Sequence, residues 1–239
     1  MVLLAPRGPV ARVGGLTTRV RDVGEHFARE VDLARFLADA GAPAVRVAEP
    51  AGPHPRDGRF VTFWELVPDG PPPGGPALGG ALRACHTALT GYRGELPPLR
   101  ALLDEAAAVA RLGLSGEDRA LVVDGIARVV GELPAGGQSL HGDAGLGNAL
   151  PGPRWNDWED ACVGPVDWDR ACLVTTARVL GQDRARAEAA LAAAGEEPPA
   201  AFVRARALQV AAWSSLAVRT GATTPERLAR RLAWLRETG

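Results

Sequence analysis

Short apolar runs and one helical pattern alternate along the first 67 residues. Apolar runs at 2–4 and 10–13 flank a segment rich in proline and glycine, which predicts a pair of strands. Over 26–40, apolar residues recur every three or four positions before a glycine and a proline, which predicts a helix. Segments 45–47 and 60–67 predict two further strands. This order of elements is typical of a small α+β lobe.

The pattern changes in a segment dominated by proline and glycine, residues 68–80. Its composition predicts an irregular connection. Beyond it, helical spacing of apolar residues returns in three segments and again from about residue 170 onward. The three segments are 81–90, 99–112 and 117–133. We therefore expect an N-terminal lobe over residues 1–67, the connection, and a mainly helical C-terminal lobe over residues 81–239.

Composition narrows the class of protein. The chain is 46% apolar and 23% charged, which is typical of a globular protein. Its 27 basic and 28 acidic residues leave a net charge of -1, so no overall basic field indicates nucleic acid as a partner. Three cysteines without CxxC spacing fit a reducing compartment, where they serve as small buried side chains. No signal peptide or membrane-spanning run is recognisable, so we expect a cytoplasmic protein without a membrane partner.

Oxygen-bearing side chains cluster in the stretch "HGDAGLGNAL" and in "NDWEDA" shortly after it. Phosphoryl transfer needs hard oxygen ligands for magnesium and a carboxylate that takes or orients the proton of the acceptor hydroxyl. Asp157 offers charged oxygens, Asn148 offers a neutral carbonyl, and Asp143 is a candidate base. The alternative is that these are polar loop residues that cap neighbouring helices.

The stretches "HGDAGLGN" and "NDWEDACVGPVDWDRA" resemble the catalytic and metal-binding motifs of aminoglycoside phosphotransferases and related small-molecule kinases, which share the protein-kinase-like fold. The resemblance implies that Asp143 is catalytic and that Asn148 and Asp157 bind Mg²⁺. It also implies that His141 and Asp169 brace the loop by hydrogen bonding, and that ATP is the phosphate donor.

The resemblance extends upstream. The strand "VARV" is similar to the one that carries the nucleotide-binding lysine, with Arg12 at the lysine position; the chain contains no lysine. Glu30 lies where the family's helix glutamate pairs with that lysine. "VTFWELVPDG" resembles the strand and the hinge between the lobes, so backbone groups of Glu65, Leu66 and Val67 would meet the adenine. The family's first strand and glycine-rich turn have no counterpart before this strand, so we expect a shortened first lobe.

The leading hypothesis is an ATP- and Mg²⁺-dependent O-phosphotransferase acting on a small hydroxylated molecule, such as an aminoglycoside or another hydroxylated metabolite. Glu159, Asp160 and Asp167 make the region near Asp157 acidic, which could attract a cationic acceptor or could be a solvated face. The alternative function is a nucleotide-binding or scaffold protein with vestigial kinase motifs, because Arg12 replaces lysine and the first lobe is short.

Three tryptophans lie close to the acidic residues of the second motif. Trp155, Trp158 and Trp168 could provide flat surfaces for stacking on a sugar. We expect them instead to be buried anchors of the core.

Overall fold

The computed structural model describes residues 2–4, 8–14 and 20–238. Its N-terminal part is an antiparallel sheet of four strands with one helix, α1 (Val23–Asp39). The strands are β1 (Val2–Leu3), β2 (Val10–Val13), β3 (His54–Arg56) and β4 (Arg59–Trp64), in the order β1-β2-β4-β3. Asp22 caps the N-terminus of helix α1, because its carboxylate accepts the backbone N–H groups of Gly24 and Glu25.

The first strand pair is confirmed, because Val2 lies opposite Ala11 across antiparallel β1 and β2. Residues 5–7 of the turn between them lie outside the described residues. The strand predicted over 45–47 is wrong, since Val47 makes only an isolated bridge to β4. The strand that completes the sheet is β3 (His54–Arg56) instead. It joins β4 through Asp57 and Gly58, both at positive φ (48° and 72°), the combination that Asp-Gly supplies in tight hairpins.

The C-terminal part contains seven helices and four short strands within the described residues. The helices are α2 (Gly75–Leu89), α3 (Leu99–Gly113), α4 (Gly116–Val130), α5 (Asp167–Arg178), α6 (Arg184–Ala194), α7 (Ala200–Arg219) and α8 (Pro225–Glu237). The strands are β5 (Gln138–Leu140), β6 (Ala149–Leu150), β7 (Arg154–Trp155) and β8 (Cys162–Gly164), paired as β5 with β8 and β6 with β7. The predicted α+β class, with a small sheet and a mainly helical second part, is confirmed.

Helix α2 begins inside the segment predicted to be irregular. Gly75 and Gly79 face α6, where a Cβ on Gly79 would lie 2.1 Å from the carbonyl oxygen of Ala190. A Cβ on Gly75 would lie 2.5 Å from the carbonyl oxygen of Arg186. These glycines therefore allow two helix backbones to approach closely, and the irregular connection ends at Gly74.

The helices enclose one large apolar core. The tryptophans of the second motif are buried as predicted, with Trp155, Trp158 and Trp168 at most 1% exposed. The three cysteines are free and buried, also as predicted. In the described part of the chain, no helix combines the length and apolar character needed to cross a membrane.

Candidate active site

The loop after β5 brings Asp143 and Asn148 together. Gly142 has a φ of 84°, and a Cβ there would lie 1.8 Å from the carbonyl oxygen of Asp160, so this turn requires glycine. The chain then folds back through a short 3₁₀ turn, Leu146–Asn148. As a result, the Asn148 amide nitrogen donates to the backbone carbonyl of Asp143 (2.8 Å) and to its carboxylate (3.0 Å).

Asp169 braces this loop from α5. Its fully buried carboxylate accepts the backbone N–H groups of His141 and Gly142, each at 2.9 Å. It also contacts Nε2 of His86 on α2 at 2.8 Å. Burial alone would raise the pKa of Asp169, but the hydrogen bonds from His86 and the backbone outweigh it and lower that pKa. The sequence assigned no role to His86, although a histidine beside Leu82 and Cys85 on an apolar helix face was a usable signal.

The ring of His141 is occupied on both nitrogens. Nδ1 accepts the backbone N–H of Asp143 at 3.2 Å, so Nε2 carries the proton and donates to the carbonyl oxygen of Asn156 at 3.0 Å. The ring packs against Trp158, with the two centroids 4.3 Å apart. This geometry links the two loops and leaves His141 in a bracing position.

Asp143 has a partner that the sequence analysis missed. Arg206 on α7 makes an ion pair with one carboxylate oxygen of Asp143 and hydrogen bonds to Gln209. Burial raises the pKa of Asp143, and the guanidinium of Arg206 opposes that rise. The available signal was an arginine in line with the apolar residues Val203 and Val210 on one face of a helix.

Arg12 joins β2 to α1 and to the second motif. Its guanidinium makes ion pairs with Glu30, with Asp157 (2.7 Å) and with Glu159 (2.6 Å). Glu30 also accepts the backbone N–H of Trp158 at 3.1 Å. Burial raises the pKa of Glu30 to about 7 and that of Glu159 to about 8, although Arg12 opposes both shifts. We call these four side chains, Arg12, Glu30, Asp157 and Glu159, the interlobe cluster.

The acidic residues near Asp157 each contact an arginine. Asp160 lies 2.7 Å from Arg21, and Asp167 lies 3.2 Å from Arg170. Glu159 belongs to the interlobe cluster. Each of these carboxylates therefore contacts an arginine, but Arg12 and Arg21 are each shared by three carboxylates, so the negative charge is only partly offset.

Two cavities flank the second motif. The first, of about 290 Å³, contains five residues that the resemblance assigns to the nucleotide and its metal: Arg12, Glu65, Leu66, Val67 and Asp157. The second, of about 310 Å³, contains Asp143 and Arg206. In the loop 156–160, Asn156 and Asp157 line the first cavity, and Glu159 and Asp160 line the second. After the roles that the resemblance implies for their residues, we name them the nucleotide cavity and the acceptor cavity.

The donor set fits magnesium held jointly with phosphate. Within residues 2–4, 8–14 and 20–238, no group of three or more His, Cys, Asp or Glu side chains is arranged to hold a metal by itself. Mg²⁺ commonly takes one or two carboxylates and fills its shell with phosphate oxygens and water. The side chain of Asp157 is 35% exposed at the nucleotide cavity, which suits this mode. The side-chain amide nitrogen of Asn148 is hydrogen-bonded to Asp143, so the side-chain carbonyl oxygen of Asn148 is the atom available to coordinate Mg²⁺.

A small sheet with one helix and a helical second part that contains a braced aspartate loop define a protein of kinase-like fold. Residues 18–208 match the model of the phosphotransferase enzyme family, and the chain belongs to that family. A comparison with curated protein sequences finds no match.

Solved structures of the same fold include the choline kinase LicA from Streptococcus pneumoniae, at 15% identity, 97% coverage of this chain, 85% coverage of that chain and a TM-score of 0.65. A choline/ethanolamine kinase family protein from Mesorhizobium loti is 24% identical, with 88% and 84% coverage and a TM-score of 0.52. A thermostable mutant of aminoglycoside phosphotransferase APH(4)-Ia, in ternary complex with AMP-PNP and hygromycin B, is 16% identical, with 98% and 87% coverage and a TM-score of 0.63.

Proposed function

We propose that this chain is an ATP- and Mg²⁺-dependent O-phosphotransferase that acts on a hydroxyl group of a small molecule. The observation that carries the proposal is the division of the two aspartates between two cavities. Asp157 lies in the nucleotide cavity with Arg12, and Asp143 lies in the acceptor cavity, with the loop 156–160 contributing to both. A solved structure of the same fold that holds AMP-PNP together with hygromycin B supports separate places for two ligands.

In this proposal the backbone of Glu65, Leu66 and Val67 meets the adenine, and Arg12 meets the phosphates. Asn148 and Asp157 would hold Mg²⁺, which neutralises charge on the phosphate oxygens when it is bound. Arg12 is released from Asp157 when the phosphates arrive, because its guanidinium cannot keep all three carboxylates and bind phosphate as well.

Asp143 acts on the acceptor. The acceptor oxygen forms a bond to the γ-phosphorus while the bond from that phosphorus to the departing ADP oxygen breaks, and the hydroxyl proton passes to the Asp143 carboxylate. The products are ADP and a phosphate monoester. Arg206 and Asn148 fix the carboxylate, so most of the rate gain comes from positioning and charge neutralisation.

The first test is calorimetry of ATP binding with and without Mg²⁺, on the full chain and on Asp157→Ala. Asp124→Ala, which removes an exposed aspartate from α4, is the matched control. We expect Mg²⁺-dependent binding by the wild type and the control, and its loss in Asp157→Ala. Equal binding by Asp157→Ala would remove Asp157 from the site.

The second test is phosphate transfer to a panel of hydroxylated small molecules by Asp143→Asn. We expect a fall in kcat of about a hundredfold or more with ATP binding retained, since the variant keeps the shape and loses the base. A variant as fast as the wild type would refute the role of Asp143.

A second candidate function is nucleotide binding without phosphate transfer. It is favoured by the ion pairs that engage both aspartates, Asp157 with Arg12 and Asp143 with Arg206. This candidate predicts Mg²⁺-dependent ATP binding with no turnover of any member of the panel, whereas the enzyme turns over at least one.

A further inference from the structure

A third cavity next to the acceptor cavity is lined by arginines. It has a volume of about 340 Å³ and contains Arg178 at the end of α5 and Arg227, Arg230 and Arg231 on α8. Arg231 also lines the acceptor cavity, so the two cavities share a wall. We call this third space the arginine cavity.

Most of this positive charge is uncompensated. Arg178 pairs with Glu197 at 2.7 Å. Within the described ranges, no carboxylate lies in ion-pair contact with Arg227, Arg230 or Arg231. Arg231 instead donates to the hydroxyl of Ser214. The other arginines of the acceptor cavity, Arg21 and Arg206, are already paired with carboxylates.

Folding alone does not account for the positions of Arg227, Arg230 and Arg231. These three arginines occupy the first two turns of α8, which begins at Pro225, and cations are unfavourable near the positive end of a helix. Arg227 and Arg231 are four residues apart, a spacing at which like charges repel. Burial, together with Arg227 and Arg230, lowers the pKa of Arg231. Glu226 is the acidic residue nearest in sequence; it makes no ion-pair contact with any of the three, although the charge of Arg230 helps to lower its pKa.

We propose that the acceptor carries an anionic group, a carboxylate or a phosphate, which the arginine cavity binds through Arg227, Arg230 and Arg231 while the reacting hydroxyl lies at Asp143. The proposal deepens the proposed function and rests on it for the identity of the reacting end. It favours an anionic acceptor over the cationic acceptor that the sequence left open, since each carboxylate that suggested a cation contacts an arginine. Guanidinium groups suit carboxylate and phosphate because they present paired donors.

Three probes that share hydroxyl groups and differ in charge test this: glycerol, glycerate and glycerol 3-phosphate. Each is titrated calorimetrically into the full chain. We expect both anions to bind at least about tenfold more tightly than glycerol, and the tighter of the two shows whether the site prefers a carboxylate or a phosphate.

Variants locate the binding. Arg227→Gln/Arg230→Gln removes two exposed arginines of the cavity, and Arg83→Gln/Arg119→Gln removes the same charge from exposed positions on α2 and α4. We expect anion affinity to fall about tenfold or more in the first double variant and to persist in the second. It should also persist in Asp157→Ala, because that variant alters the nucleotide cavity.

Several results would overturn the proposal. These are anion binding unaffected by Arg227→Gln/Arg230→Gln, no binding of either anion at millimolar concentration, or glycerol binding as tightly as the anions. Binding of a single-stranded oligonucleotide that depends on the same two arginines would assign them to nucleic acid instead. Anion binding that requires these arginines, with no phosphate transfer to any compound, would contradict the proposed function and leave the anion site standing.

Discussion

Arginine supplies every side-chain cation of the candidate site, and its planar fork explains how so few residues organise so many carboxylates. Arg12 contacts three carboxylates from different segments. Arg21 makes a two-pronged contact with Glu105, at 2.7 and 2.8 Å, and reaches Asp160 as well. A compact ammonium group has no such fork. The absence of lysine therefore changes the geometry of the site and not merely its composition.

Arg206 should control the protonation of Asp143. Burial raises the pKa of Asp143 and the adjacent guanidinium opposes that rise, so Arg206→Gln should move this pKa further upward. Carboxyl NMR titration of the folded chain measures the shift, with Asp143→Asn used to assign the signal. Arg204→Gln, two residues earlier on α7, should leave it in place. An unchanged titration in Arg206→Gln would show that the ion pair does not form in solution.

Glu30 should make stability depend on pH. Its ordinary pKa is 4.5 and burial raises it to about 7, so between these values the folded state holds a proton that the unfolded state has lost. Stability then falls as pH rises across this window. From about pH 5 to pH 8, the free energy of unfolding of the wild type should fall by on the order of 2 kcal/mol more than that of Glu30→Gln.

Urea titrations at the two pH values measure this difference. Glu25→Gln, in the exposed first turn of the same helix, should follow the wild type. Parallel pH dependence in the wild type and Glu30→Gln would contradict the raised pKa.

Spacing along the chain indicated only those residues of the site that lie close together, and the family resemblance indicated some of the more distant ones. Asp143 and Asn148 share one loop, so their spacing alone predicted that they meet. Arg206 is 63 residues from Asp143, and His86 is 83 residues from Asp169. Contacts at such separation depend on helix packing, and spacing in one sequence does not encode it. In each case the one local sign of the contact was a polar residue, Arg206 or His86, on an apolar helix face.

At the scale of elements, glycine has two different structural roles in this chain. In the turn before β4 it permits a positive φ, and in α2 it permits contact between helix backbones. Composition does not separate these uses, which is why the start of α2 was predicted to be irregular. The hairpin of β3 and β4 was predictable from Asp57-Gly58, whereas the helix required knowledge of α6 packed against it.

The packing of α2 on α6 can be tested with two adjacent glycines. A Cβ on Gly79 would lie 2.1 Å from the backbone of α6, so Gly79→Ala should destabilise the fold by about 3 kcal/mol. Gly80 has no atom within 4 Å of its Cβ position, so Gly80→Ala should stabilise the helix by about 0.5–1 kcal/mol. Denaturant unfolding measures both values. Equal effects of the two substitutions would mean that the helices are farther apart than described.

At the scale of the whole molecule, the interlobe cluster determines how the two parts act together. Arg12 and Glu30 belong to the sheet and helix of the first part, and Asp157 and Glu159 belong to the loop of the second. The same guanidinium that joins the parts also engages the proposed metal ligand. Nucleotide binding in the proposed mode must therefore exchange an internal ion pair for contacts with phosphate and metal.

The substitution Arg12→Lys separates the role of Arg12 in joining the two parts from its effect on nucleotide binding. An ammonium group retains the charge but loses the fork, so the ligand-free chain should lose about 1–2 kcal/mol of stability. Because Asp157 is then held less tightly, the stabilisation gained from Mg²⁺ and AMP-PNP should be at least as large as in the wild type. Thermal unfolding with and without the ligand measures both quantities. Arg35→Lys, which alters an exposed pair with Glu49, is the control and should change neither. If Arg12→Lys loses the ligand-induced stabilisation as well, the guanidinium is needed for nucleotide binding and does not compete with it.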